Sequence, residues 1–223
     1  MHPYVKKLKA LYQKNANPAQ AAPMKKYMRG QFEYLGIKTP QAKALQKEFY
    51  AEHGLPEISE LDTIVRELWS LPEREYKYFA MGLMDKLQKI VPAEFIKTVE
   101  YLITTESWWD TVDLIATHQV GKMFKKYPKV KDKYLKKWRK SKNIWLRRTT
   151  ILFQLLHKDE TDFELLCDLI RENLGSDEFF INKAIGWSLR QYGKTNPNAV
   201  KKFVKETKEL HPLSQREAMK HLK

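Results

Sequence analysis

With 223 residues, a 43% apolar share and one cysteine, the chain is long enough to bury a substantial core but has no partner with which to staple it. Cys167 alone excludes an internal disulfide, a CxxC zinc site and a four-cysteine iron–sulfur cluster, and fits a reducing cytoplasm. The 41 Lys and Arg against 27 Asp and Glu leave a formal charge of +14, which points to polyanionic partners.

Helical periodicity runs along the whole chain and no segment alternates as a strand does. Helix starts are expected at Pro3, Asn17-Pro18, Thr39-Pro40, Ser59, Pro72-Glu73, Pro92, Ser107, Pro128, Asn143, Asp159, Asp177, Asn196-Pro197 and Pro212. Most carry a capping side chain or a first-turn proline, whose missing N–H costs nothing there. Residues 1–17 are amphipathic but broken by lysines, without the apolar core of a signal peptide, and no stretch is suited to span a bilayer.

Tyr76, Trp109, Trp145 and Phe180 each stand near the start of a helix after a polar break, 33, 36 and 35 residues apart. A period in the mid-thirties with two helices per unit predicts an all-α solenoid of HEAT-like antiparallel helix pairs. No Gly/Ser-rich linker interrupts it, so residues 1–223 read as one HEAT-like repeat domain with a concave basic groove. Residues 120–150 hold 13 basic side chains and a single acid, Asp132, so most of the excess charge borders that groove.

The stretch 107–113, Ser-Trp-Trp-Asp-Thr-Val-Asp, is the most pointed. Ser107 reads as a helix cap, and Trp109 and Asp113 lie four apart on one helix face. Aligning the repeats brings Arg148 beside this pair, with Trp187 on the face of Phe180, seven residues on. Trp69, Trp138 and Trp145 read as packing residues, Trp108 as core opposite Trp109, and Tyr27 as either core or contact. No Gly-rich phosphate loop, HExxH, GxSxG, kinase set or metal-spaced histidines are present, and no second acid pairs with Asp113 as in a glycosidase.

A lone carboxylate among indoles in a basic groove suits cleavage of an N-glycosidic bond in DNA. As the base departs, the sugar gains oxocarbenium character, which a fixed anion stabilises more than it does the ground state. Indole faces assist as they do with other cations. The aspartate can also orient the attacking water. With no evident general acid, substrates are limited to purines already cationic through N3 or N7 alkylation.

At these residues the chain resembles the AlkD-type DNA alkylation repair glycosylases. The resemblance is carried by Glu67-Leu68-Trp69 with Leu71-Pro72-Glu73-Arg74-Glu75, by residues 107–113, by Asn143-Ile144-Trp145-Leu146-Arg147-Arg148, by residues 179–187 and by Lys194-Thr195-Asn196-Pro197. It implies a monofunctional DNA glycosylase of base excision repair. Such an enzyme excises N3- and N7-alkylpurines from duplex DNA without metal or cofactor, and without drawing the lesion into a pocket. Trp109, Asp113 and Trp187 are then expected at the damaged nucleotide's backbone and deoxyribose, with Arg148 on phosphate. Tyr27, the Thr39-Pro40 turn and Lys43 are expected to approach the duplex; Gln41-Ala42-Lys43 stand where relatives often carry arginines, a departure for which Lys38 and the dense basic stretch are expected to compensate. A monomer in the cytoplasm, on the nucleoid when bound to DNA, completes the expectation. The rival readings are a HEAT-like scaffold that binds nucleic acid without catalysis and a solenoid that binds an acidic protein.

Overall fold

The computed structural model describes residues 1–222 and divides the chain into two compact units, Met1–Thr98 and Val99–Lys223. The architecture is all-helical, as an α-solenoid requires; among the described residues the only β pairing is an isolated bridge, Glu33 to Glu73.

The first unit holds α1 (Pro3–Lys14), α2 (Pro18–Tyr27), α3 (Thr39–His53), α4 (Leu61–Ser70) and α5 (Arg74–Leu87). Proline opens α1 and α2, and side chains before it satisfy orphan amides: His2 Nδ1 accepts from Tyr4 N–H and Asn17 Oδ1 from Gln20 N–H. Val5, Leu8, Tyr12, Phe49, Leu68, Trp69, Tyr76 and Phe79 are buried together in its core. Tyr12 stacks on Tyr76 at 5.7 Å and meets Phe79 edge-on at 6.0 Å. Each such side chain contributes on the order of 1.5–3 kcal/mol of burial.

One buried acid organises the connection between α2 and α3. Glu75, 1% exposed, accepts from the amides of Leu35, Gly36 and Ile37 at 3.0, 2.9 and 3.1 Å. Burial raises its pKa while the three amides pull it down. Gly36 has φ +86°, and a Cβ there would strike the Asn17 carbonyl, so the chain needs glycine at this turn.

α6 (Ile96–Thr104) runs across the boundary. The second unit continues with α7 (Trp109–Leu114), a π-helical segment (Ile115–Val120) and α8 (Gly121–Lys126), which together form one unbroken rod. Then follow α9 (Pro128–Trp138), α10 (Ile144–Leu152), α11 (Phe163–Arg171), α12 (Phe179–Tyr192), α13 (Pro197–Glu206) and α14 (Pro212–Met219). α10 packs between the α7 rod and α12, and α14 covers α12. Two glycines permit close crossings: a Cβ on Gly121 would lie 2.5 Å from the Phe153 carbonyl oxygen, and one on Gly186 would lie 2.5 Å from Glu217 Cβ.

Five expected starts shift: Ser59 and Pro92 fall at 3₁₀ turns (Ile58–Glu60 and Ala93–Phe95) just ahead of α4 and α6, and three others move as follows. Trp108, in extended conformation, is the N-cap of α7, and Ser107 Oγ instead donates to the Ile103 carbonyl at 2.6 Å, closing α6. Asp159 lies in a 3₁₀ turn (Lys158–Glu160), and α11 starts after Asp162, whose carboxylate accepts from Leu165 N–H at 3.0 Å. α12 starts at Phe179, with Glu178 rather than Asp177 at its cap and no side-chain hydrogen bond there. At α11 and α12 several polar residues stand before the apolar run, and the one matched to the helix register becomes the boundary.

Candidate active site

The site starts from a helix entry that turns two adjacent tryptophans to different tasks. The Trp108 carbonyl accepts from the amides of Thr111 and Val112. Its ring packs against Trp145 and Phe180 at 5.9 and 5.1 Å, and those two rings meet at 5.0 Å. The aromatics opening α10 and α12 therefore mate with Trp108, one residue ahead of the repeat position expected for Trp109. Trp109 becomes the first helical residue and is half-buried.

One turn on, Asp113 meets Arg148 of α10 in a two-pronged ion pair: Nε donates to Oδ1 at 2.7 Å and Nη2 to Oδ2 at 2.8 Å. The third nitrogen, Nη1, donates to the Phe180 carbonyl of α12. A single guanidinium thus ties α7, α10 and α12. The side chain of Arg148 is 4% exposed and that of Asp113 13%, so Asp113 is the less deeply buried partner. A carboxylate has about four lone-pair positions and the fork takes two, leaving acceptor capacity toward the open side. Burial raises the Asp113 pKa; the Arg148 hydrogen bonds and charge oppose it, and Asp110 adds to it.

Asp113 sits at the end of the regular turn, and the π segment begins two residues later. Thr117 Oγ1 donates to the Asp113 carbonyl at 2.8 Å, joining the two. π-helical turns widen a helix locally and recur at functional positions. No sequence signal marked this one.

Trp187 lies on α12, half-buried against the core of Ile151, Leu152, Ile185 and Leu189. Arg148, expected on DNA phosphate, has all three guanidinium nitrogens engaged within the protein. Of the packing tryptophans, Trp69 and Trp138 are fully buried, and Trp145 belongs to the aromatic trio with Trp108.

In the first unit, Tyr27 is 73% exposed at the end of α2, which settles core against surface in favour of surface. Lys38, extended at the N-cap of α3, is exposed, as are Thr39, Pro40 and Lys43 in the helix's first turn. That turn has neither an acid nor a side-chain cap, so its positive end is left for an anion. The Glu75-pinned loop at Leu35 to Ile37 leads directly into it.

Most of the basic stretch is solvated. Lys122, Lys126, Lys129, Lys133, Lys136, Lys140 and Lys142 are exposed. Lys125 pairs with Glu160, Lys137 with Glu100 at 2.8 Å and Arg139 with Glu172 at 2.8 Å. Among the described residues no cluster of His, Cys, Asp and Glu has the makings of a metal site, and no helix is long and apolar enough to cross a membrane.

An all-α protein with a strong positive charge and a carboxylate held on both oxygens by a buried guanidinium is thereby defined. Residues 8–222 match the family described as DNA alkylation repair enzyme, and the chain belongs to that family. Among solved structures it is similar to a "predicted DNA alkylation repair enzyme" from Enterococcus faecalis. The two are 36% identical with a TM-score of 0.83, over 93% of this chain and 96% of the other. No curated protein matches the chain.

Proposed function

We propose that the chain is a monofunctional DNA glycosylase that hydrolyses the bond between deoxyribose and a purine alkylated at N3 or N7. Membership of a DNA alkylation repair family supports the repair role. The observation that carries the chemistry is the Asp113 carboxylate, clamped by Arg148 yet more accessible than its partner.

In this reading the cationic purine leaves as a neutral base and needs no proton. Positive charge develops on the sugar, and Asp113, already fixed, stabilises it without reorganising. A carboxylate lone pair left over from the Arg148 fork orients water toward the anomeric carbon. Trp109 and Trp187 cradle the sugar and its phosphates, their ring faces favouring the developing cation. Arg148 serves the reaction through Asp113 by holding its geometry and keeping it ionised. Tyr27, Lys38, Thr39, Pro40 and Lys43 contact the duplex from the first unit, where all five are exposed. The substrate is duplex DNA, the protein acts as a monomer on the nucleoid, and neither metal nor cofactor enters the scheme.

The test is release of 7-methylguanine from methylated duplex DNA. Wild-type protein is expected to free the base, and Asp113→Asn to lose about 10²–10³ in rate, the scale for removing one preorganised electrostatic group, while still binding DNA. Wild-type binding with no base released would leave a nucleic-acid scaffold instead.

A further inference from the structure

An open cavity of about 500 Å³ lies where the α9–α10 and α11–α12 loops meet, lined by Arg139, Lys140, Ser141, Arg147, Glu172 and Ser176 among others. That volume is within the roughly 300–1,000 Å³ of ligand clefts. Its charge is unbalanced. Glu172 answers Arg139 at 2.8 Å, whereas among the described residues neither Lys140 nor Arg147 has an ion-pair partner.

Arg147 is the informative member. Nη1 donates to the Ser141 carbonyl at 3.2 Å, which holds the side chain in place, yet its Nε is buried without any hydrogen-bond partner. A buried donor of this kind costs free energy until something accepts from it. Ser141 Oγ accepts from Asn143 N–H and Ser176 Oγ from Glu178 N–H, so both hydroxyl protons remain to be donated. A planar guanidinium, an ammonium and two hydroxyls match the oxygens of a phosphodiester. Arg147 immediately precedes Arg148, so this cavity and the Asp113 pair are served by the same first turns of α10.

We propose that the cavity is a second DNA backbone site, taking a phosphate of the strand whose deoxyribose lies at Asp113. The proposal rests on duplex DNA being the partner and not on base release.

Binding of an undamaged duplex, followed by fluorescence anisotropy across a salt series, tests it. Lys140→Ala, at an exposed position, and Arg147→Gln are each expected to weaken binding several-fold and to lower the slope of log K against log salt by about 1. Lys201→Ala removes the same charge from α13, where it is exposed, and is expected to leave the slope unchanged. Equal slopes throughout, or an equal fall with Lys201→Ala, overturn the site. Displacement of duplex by inorganic phosphate at fixed ionic strength, lost in Arg147→Gln, would make free phosphate the ligand and overturn the backbone assignment. A Lys140-dependent slope in a protein that frees no methylated base sinks the proposed activity and leaves this site standing; base release with unaltered slopes does the reverse.

Discussion

Arg148 grips both oxygens of Asp113, at 2.7 and 2.8 Å, and is the more deeply buried of the two. The anion is therefore the less buried member of the pair and is backed by the deeper cation. Cutting such a pair leaves an uncompensated charge, at about 3–5 kcal/mol. Arg148→Met is expected to lose stability on that scale. In denaturant unfolding, the Asp113→Asn/Arg148→Met double variant should lose less than the sum of the two single ones. Strict additivity would mean the contact carries no coupling.

The same pair sets a pH dependence. Asp113 must be ionised to act, and its pKa lies above the ordinary aspartate value because burial outweighs Arg148. Base release should fall on acidification through that raised pKa, earlier than for an exposed aspartate. Arg148→Met removes the lowering influence and should move the acid limb to higher pH. For stability the sign is opposite. A carboxyl whose folded pKa exceeds its unfolded value binds more protons when folded, so its contribution grows as pH falls through the folded pKa. Asp113→Asn should remove that part of the pH–stability curve. An acid limb that stays put in Arg148→Met would detach the profile from Asp113.

Trp108 and Trp109 should separate cleanly. Trp108 packs with Trp145 and Phe180, and its replacement by alanine is expected to cost about 3 kcal/mol, at the low end for a large aromatic since it is only half-buried. Trp109→Ala is expected to slow base release about tenfold, from a ring–cation contact of roughly 1–2 kcal/mol, with a smaller change in melting temperature. Single-turnover rates beside thermal melts decide it, and the reverse pattern would exchange the two roles.

Glu75 offers a handle on the DNA-facing turn that avoids the reacting centre. Its carboxylate serves three amides of the loop that enters α3. Hydrogen bonds to a charged group contribute about 1.5–3 kcal/mol. Glu75→Gln should therefore destabilise the first unit by roughly 2 kcal/mol and loosen Lys38 to Lys43. Duplex affinity is expected to drop while base release at saturating protein holds near the wild-type rate. Unchanged affinity would release the α3 turn from any part in binding.

What could be read from the sequence was what is local. Asn17, Asn143 and Asn196 cap helices where their spacing placed them, because an Asx side chain and its target amide lie within three residues. The four-residue interval between Trp109 and Asp113 and the mid-thirties period were likewise visible, and with them the approach of Arg148. The depth of Arg148 was not, since no pattern tells an exposed guanidinium from one spent on a carboxylate and a carbonyl of two other helices. The phase of the aromatics slipped by one residue because two adjacent tryptophans satisfy the repeat equally well. Glu75 was silent for a further reason: its partners are backbone amides nearly 40 residues away, which carry no side-chain signature.

The π segment was hidden in the same way, and Gly121 shows how it can be probed. The glycine closes the π turn just where the rod meets α10, and a Cβ would lie 2.5 Å from the Phe153 carbonyl oxygen and 3.3 Å from His157 Nε2. Backbone cannot step aside as a flexible side chain does, so Gly121→Ala must push the rod away from α10 at about 1–3 kcal/mol. The Asp113–Arg148 fork joins those same two elements two turns upstream. Separation should lengthen it and so raise the acid limb of base release, as in Arg148→Met but by less. Gly121→Ser, with its own Cβ, should behave alike. Normal stability and an unmoved pH profile in both variants would mean that the crossing tolerates a methyl group and that the π turn does not govern how Asp113 is held.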